Sequence, residues 1–182
     1  MIQELKDFNK KFVAEKGYER FATSKYPDKK IAIVTCMDTR LVELLPAALG
    51  IHNGDVKMIK NAGATITNPL DSTMRSILVA IYELGVNEIM VIGHTGCGVQ
   101  GMNAEEMLHL MKERGVSEEH IAIMKNSGIN LDEWLKGFDD TDEAVKETVE
   151  LIARHPLMPP TGIKVQGFVM DTSTGELMDL KP

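Results

Sequence analysis

The chain has 182 residues, 43% of them hydrophobic, and a formal net charge of −7 at pH 7. This length and composition can bury the core of one domain, and we expect a single domain over residues 1–182. The acidic balance provides no basic surface for phosphate backbones or anionic lipid, so neither nucleic acid nor a membrane is an expected partner. Residues 1–21 mix charged and apolar side chains without the apolar segment of a signal peptide, which predicts a cytoplasmic location.

Two cysteines are too few for a secreted disulfide scaffold. In a reducing compartment, such thiols are metal ligands, catalytic groups or core residues. Cys36 and Cys97 are therefore the first candidates for a functional site.

The first segment has apolar residues at every third or fourth position, which predicts an amphipathic helix from Ile2 that ends near Gly17. The apolar face of this helix needs a cover. Either the rest of the chain or a second subunit could supply it, and the sequence leaves both possibilities open.

Short apolar, β-branched runs alternate with helical segments in the next part of the chain. Strands are predicted at 30–35, 56–59 and 88–92, and helices at 41–49 and from Pro69 or Asp71 to Leu84. Strands separated by helices pair in parallel, so the expected fold class is α/β with a mainly parallel central sheet flanked by helices. Residues 103–156 are predicted to be mostly helical, and strands at 163–170 and 175–178 are predicted to close the fold as a C-terminal hairpin.

Candidate metal ligands follow two of the predicted strands. Cys36, Asp38 and Arg40 come after the first strand, and His94 and Cys97 come after the third. Ligands of parallel sheets gather at the carboxyl ends of the strands, where these side chains are expected to meet. Two thiolates and one imidazole suit Zn²⁺ and leave one tetrahedral position open for water, which is typical of a catalytic zinc. Arg40 can hold Asp38 through paired N–H donors, and Asp38 is placed to accept a hydrogen bond from the water.

Each of these fragments also has an ordinary structural explanation. A buried cysteine is often a core residue, and an Asp-x-Arg pair is often a surface salt bridge. The joint placement of the fragments at two strand ends favours a metal site. Asn61 and Gly63 follow the second strand at the same edge, where they form either a simple turn with a positive φ at Gly63 or part of the substrate pocket.

Three segments, taken in order and spacing, resemble the β-class carbonic anhydrases, with a weaker similarity over 165–175. They are Cys36-Met-Asp-Thr-Arg-Leu41, Lys60-Asn-Ala-Gly-Ala64 and Gly93-His-Thr-Gly-Cys-Gly98. The chain length matches the smaller bacterial and archaeal branch of that family. The resemblance implies zinc ligation by Cys36, His94 and Cys97. It also implies an Asp38/Arg40 catalytic dyad and reversible hydration of CO₂ to bicarbonate by a zinc-bound hydroxide.

The resemblance also implies a homodimer or homotetramer in which the N-terminal helix packs on a partner subunit. One departure from the family pattern is Met170, which stands where many members have an aromatic residue. We therefore expect the wall of the substrate pocket to differ from that of the plant-type enzymes.

Three other functions remain open for the same residues. Hydrolysis of carbonyl sulfide or carbon disulfide needs little change in the pocket, because both are apolar linear triatomic molecules. A non-catalytic zinc-binding or regulatory protein would use Asp38 as a fourth protein ligand and activate no water. A redox dithiol is the weakest alternative, because Cys36 and Cys97 lack Cys-x-x-Cys spacing.

Overall fold

A computed structural model describes residues 1–181, and over that range five strands form one sheet. The strands are β1 (Ile31–Cys36), β2 (Val56–Asn61), β3 (Glu88–His94), β4 (Lys164–Met170) and β5 (Leu177–Asp179). They lie in the order β2-β1-β3-β4-β5, with parallel pairing throughout except for the antiparallel β4–β5 hairpin. The predicted α/β class, the mainly parallel sheet and the closing hairpin are confirmed.

Two strands continue further than the apolar runs suggested. β2 extends to Asn61 because it stays paired with β1 up to Cys36, and β3 extends to His94 because it stays paired with β4 up to Met170. Asn61 and His94 are therefore the last residues of strands rather than loop residues. Their backbones are held by the sheet.

Residues 1–181 contain seven α-helices. They are α1 (Ile2–Ala14), α2 (Leu41–Ala48), α3 (Ser72–Tyr82), α4 (Ala104–Glu113), α5 (Glu118–Asn126), α6 (Leu131–Leu135) and α7 (Thr141–Arg154). Asp71 caps α3 by accepting a 2.7 Å hydrogen bond from the Met74 amide, and Asp140 caps α7 in the same way. Over these residues, every helix is too short or too polar to cross a bilayer.

Each face of the sheet has its own hydrophobic core. Ile77 of α3 and Val145 of α7 belong to the core on one face, and Leu45 of α2 belongs to the core on the other. β1 contributes to both cores, with Val34 in the first and Ile33 in the second, and both side chains are fully buried. A strand buried on both faces is held firmly, so its carboxyl end is a rigid support for a site.

Helix α7 packs closely on β3 and β4 because glycines face it. A Cβ atom added at Gly93 would lie 2.7 Å from Val145 Cγ2 and 2.9 Å from Thr141 Cγ2. One added at Gly167 would lie 2.7 Å from Val145 Cγ1. The absence of side chains at these two positions lets the helix approach the sheet immediately before His94.

We expect Gly93→Ala to lower the free energy of unfolding by about 2 kcal/mol, because the added methyl group overpacks the contact with α7. Chemical denaturation followed by circular dichroism measures this loss. Gly98→Ala is the matched control, since a Cβ atom there meets no atom within 4 Å. An equal loss in both variants would show that the close approach of α7 is not the cause.

The segment after β5 is tied to α7 through Asp142, which is buried. Asp142 Oδ1 accepts a hydrogen bond from the Lys181 amide at 2.9 Å, and Oδ2 lies 3.3 Å from Lys181 Nζ. The hydrogen bond from the Lys181 backbone is the main reason that the pKa of the Asp142 carboxyl lies below its usual value. The ionised form of Asp142 therefore stabilises the folded chain.

The stabilisation by Asp142 should depend on pH. Its folded-state pKa is lower than the unfolded value of about 3.9, so the contribution is complete above that value and is lost as the pH falls through the folded pKa. We expect the wild type to be more stable than Asp142→Asn by a constant amount between about pH 5 and 7. Urea denaturation at a series of pH values should show this difference shrinking below about pH 4. A difference that persists unchanged in strong acid would contradict the assignment.

The apolar face of α1 is uncovered in the single chain. Ile2, Leu5 and Phe8 are 78%, 69% and 71% exposed, and α1 contains no buried residue. The sequence left open whether the rest of the chain or a second subunit covers this face. Residues 1–181 of the same chain do not cover these three side chains.

Candidate metal centre

The carboxyl ends of β1 and β3 bring the three predicted ligands together. Cys36 ends β1, His94 ends β3, and Cys97 lies in the loop that follows β3. All three side chains are buried, and their ligand atoms lie within 4.8 Å of one another. The two Sγ atoms are 3.9 Å apart.

This arrangement fits a tetrahedral zinc ion. Two sulfurs bound at about 2.3 Å with a tetrahedral angle would be about 3.8 Å apart, and the observed separation is 3.9 Å. His94 Nδ1 lies 3.0 Å from the Thr95 carbonyl oxygen, to which it can donate, and this tautomer leaves a lone pair on Nε2. Nε2 is buried and lacks a hydrogen-bond partner within residues 1–181. Such an atom is suited to bind a metal.

The two thiols are in different electrostatic environments. Burial alone would raise the pKa of the Cys36 thiol, but the neighbouring His94 ring and the backbones of Gly63 and Asp38 lower it to about 7. Burial and the adjacent Cys36 sulfur raise the pKa of the Cys97 thiol. A thiolate at Cys36 is therefore available near neutral pH without a metal. Coordination to a divalent cation would favour the thiolate form of both residues.

Asp38 and Arg40 form a bidentate ion pair beside the thiols. Arg40 Nε donates to Asp38 Oδ1 at 2.9 Å, Nη2 donates to Oδ2 at 2.8 Å, and the Arg40 amide donates to Oδ1 at 2.9 Å. The Arg40 side chain is the first cause that holds the pKa of the Asp38 carboxyl well below its usual range. Asp38 Oδ2 also lies 3.8 Å from His94 Nε2. The structure thus places an ionised carboxylate at the edge of the ligand set.

Asn61 and Gly63 lie on the Cys36 side of the site. The Gly63 amide donates to Cys36 Sγ at 3.4 Å, and Gly63 has the predicted positive φ, at 82°. Asn61 Nδ2 donates to the Thr65 carbonyl oxygen at 2.7 Å and to Thr73 Oγ1 at 3.1 Å. Asn61 therefore braces the loop that carries Gly63. The lining of the substrate pocket by these two residues stays a prediction.

Apolar side chains lie on the same side of the site. Val99 and Phe138 pack against the core cluster that contains both thiols. A Cβ atom at Gly63 would lie 3.0 Å from Phe138 Cε1, which shows how closely that ring approaches the loop. Met170 belongs to the same cluster and is fully buried. The two thiols therefore lie among apolar side chains.

Sequence reasoning missed two further contacts of the Arg40 guanidinium. Arg40 Nη2 donates to the Gly96 carbonyl oxygen at 2.8 Å, and Nη1 lies 3.3 Å from Thr172 Oγ1. Thr172 belongs to the loop between β4 and β5, the turn of the predicted C-terminal hairpin. A hydroxyl in a turn gives no sequence signal that it contacts a residue so distant in the chain.

Known proteins match this chain over most of its length. A family model described as carbonic anhydrase matches residues 31–177. The Bacillus subtilis (strain 168) protein named "Putative carbonic anhydrase YtiB" is 50% identical over 177 residues, covering 97% of this chain and 94% of that protein. A carbon disulfide hydrolase of Acidithiobacillus thiooxidans is 29% identical over 170 residues, covering 87% of this chain and 76% of that protein.

The structural comparison gave the same result. The crystal structure of β-carbonic anhydrase isoform I from Trichomonas vaginalis superposes with a TM-score of 0.88 at 34% identity. The match covers 97% of this chain and 95% of that one. Sequence and fold agree, and the chain belongs to the β-carbonic anhydrase family of enzymes.

Proposed function

We propose that this chain catalyses the zinc-dependent, reversible hydration of CO₂ to bicarbonate. Cys36, His94 and Cys97 would hold the zinc ion, and Asp38 and Arg40 would form the catalytic dyad. The observation that carries this proposal is the buried set of two cysteines and one histidine beside a carboxylate that is bound by an arginine. Within residues 1–181, the Nε2 atom of His94 has no hydrogen-bond partner. When bound, Zn²⁺ lowers the pKa of a coordinated water far below the bulk value of about 15.7 and so can supply hydroxide without a strong base.

The protein groups around the reacting water have separate tasks. Asp38 accepts a hydrogen bond from the water, which orients an oxygen lone pair toward the carbon of CO₂. Arg40 keeps Asp38 ionised and fixes its direction through paired hydrogen bonds. The apolar surface of Val99 and Phe138 receives the substrate, which has no net dipole. Solvent or buffer accepts the proton that leaves.

The amide of Gly63 is proposed to tune the Cys36 sulfur. Two thiolates donate more charge than neutral imidazoles, and this donation opposes the acidity of the water. A hydrogen bond from Gly63 to Cys36 Sγ withdraws part of that charge. The site would therefore keep a reactive water despite its two sulfur ligands.

The contacts of Asp38 bear on the non-catalytic alternative, in which this carboxylate is a fourth zinc ligand. Both of its oxygens accept hydrogen bonds from the Arg40 side chain, at 2.9 Å and 2.8 Å. Oδ1 also accepts from the Arg40 amide, so Oδ2 keeps a lone pair that could accept from the water or bind the metal. The zinc content of an Asp38→Asn variant distinguishes these two roles.

Stopped-flow measurement of CO₂ hydration by the zinc-loaded protein tests the proposal. We expect turnover that rises between about pH 6.5 and 9 and that disappears when a chelator removes zinc. A protein that holds one zinc ion per chain yet shows no hydration across this range would refute the proposed activity.

Carbon disulfide or carbonyl sulfide hydrolysis is the second candidate function. The similarity to a carbon disulfide hydrolase of Acidithiobacillus thiooxidans supports it, because the same type of site can attack either apolar substrate. The ratio of kcat/KM values for CO₂, carbonyl sulfide and carbon disulfide, measured on one preparation, distinguishes the two functions.

A homodimer or homotetramer is proposed for the assembly, with α1 packed on a partner subunit. The uncovered Ile2, Leu5 and Phe8 support it, because three large apolar side chains on one helix are a costly surface to leave in water. Sedimentation velocity measures the assembly, and a chain that stays monomeric at micromolar concentration would contradict the proposal.

A further inference from the structure

The orientation of Arg40 depends on more than its partner Asp38. The Arg40 side chain is 47% exposed, so water competes for its N–H donors. Nε and Nη2 bind Asp38, Nη2 also donates to the Gly96 carbonyl oxygen at 2.8 Å, and Nη1 reaches Thr172 Oγ1 at 3.3 Å. The contact with Thr172 is the one that holds the outer corner of the guanidinium, opposite the carboxylate.

Thr172 is itself held in a definite orientation by Thr95. The Thr172 amide donates to Thr95 Oγ1 at 3.1 Å, and Thr172 Oγ1 lies 3.1 Å from Thr95 Oγ1 and 3.3 Å from the Thr95 carbonyl oxygen. A hydroxyl has one proton to donate and lone pairs to accept. Donation of that proton to either oxygen of Thr95 leaves a lone pair of Thr172 Oγ1 free to accept from Arg40.

The loop that carries Thr172 is held by hydrogen bonds within the turn and by contact with α2. Asp171 Oδ1 accepts hydrogen bonds from the amides of Ser173 and Thr174, both at 2.8 Å. Gly175 packs on α2, where an added Cβ atom would lie 3.0 Å from Ala48 Cβ. Because α2 directly follows Arg40, the loop and the dyad are fixed to the same helix.

We propose that Thr172 is a positioning residue for the Asp38/Arg40 dyad, a role that rests on the proposed function. Its hydroxyl holds the Arg40 guanidinium in the orientation that pairs both oxygens of Asp38. The β4–β5 loop thereby acts on the reacting water through two side chains, without touching the substrate.

Thr172→Val tests this role, because it removes the hydroxyl while keeping the shape of the side chain. We expect kcat for CO₂ hydration to fall about tenfold, since small misalignments of a positioned group are costly. KM and the zinc content should stay unchanged. Thr172→Ser, which restores a hydroxyl, should recover most of the activity. Ser173→Ala is the matched control from the same loop, because Ser173 is exposed and its side chain makes no hydrogen bond within residues 1–181.

An NMR measurement makes the test independent of turnover. The Nε–H resonance of Arg40, assigned by its loss in Arg40→Lys, should shift in Thr172→Val and stay near its wild-type position in Thr172→Ser and Ser173→Ala. Full activity and an unshifted resonance in Thr172→Val would overturn the proposal. Equal loss of activity in all three loop variants would also overturn it, since the hydroxyl would then not be the cause. If the wild type hydrated no CO₂, the proposed function would fail, while the resonance would still show whether Thr172 orients Arg40.

Discussion

Replacement of Asp38 by asparagine is expected to lower kcat for CO₂ hydration by a factor of about 100 to 10,000, the range for loss of a positioned acid–base group. Asparagine has nearly the same shape but carries no charge. It can no longer accept two charge-assisted hydrogen bonds from Arg40 or orient the water as a carboxylate does. Zinc content should stay at one ion per chain, because the three proposed ligands are untouched.

The Asp38→Asn measurement combines stopped-flow kinetics with metal analysis of the same sample. Asp28→Asn serves as the matched control, because Asp28 is exposed and its side chain makes no ion pair within residues 1–181. Loss of zinc together with activity would identify Asp38 as a fourth ligand and favour the non-catalytic alternative. Full activity in Asp38→Asn would remove this residue from the mechanism.

Removal of the His94 ring is expected to have the largest effect on metal binding. In His94→Ala we expect zinc affinity to fall by more than about 100-fold, because even loss of a group that only supports a ligand costs about 10- to 100-fold. His94 is fully buried, and its Nε2 is the single nitrogen proposed to bind the ion. Competition with a chromophoric zinc chelator measures the affinity.

Thermal unfolding gives a second measure of the His94→Ala effect. Zinc at about 100 times its Kd should stabilise the wild type by about 2.7 kcal/mol, and the same concentration should stabilise the variant far less. His109→Ala is the control, because His109 is exposed on α4 and is not among the proposed ligands. Unchanged zinc affinity in His94→Ala would exclude this residue from the metal centre.

The sequence was sufficient to predict the fold class and the meeting of the candidate ligands. The apolar β-branched runs located β1, β2 and β3, and parallel pairing placed Cys36 and His94 at one edge of the sheet. Strand order was not predictable, because runs of similar composition carry no information on which strand is central. The extension of β2 to Asn61 was missed because Lys60 and Asn61 are polar and stay in the strand only through their pairing with β1.

The finer geometry of the site depends on contacts between distant segments. Thr172 meets Arg40 across 132 positions of the chain, and a threonine in a polar turn gives no sign of such a contact. Ala64 has a φ of 60° in a fully buried position, although alanine is not a residue that predicts this conformation. Tertiary packing holds both features in place, and single-sequence patterns do not describe tertiary packing.

The parallel pairing of β1 with β3 has a consequence for how the chain would acquire the zinc ion proposed above. His94 and Cys97 are neighbours in the unfolded chain, but Cys36 joins them only when the two strands are side by side. An unfolded or partly folded chain therefore offers zinc at most a weak two-ligand site. Tight uptake must follow strand pairing, and bound zinc in turn favours the paired state. During refolding, metal capture should be a late step that reports correct assembly of the sheet.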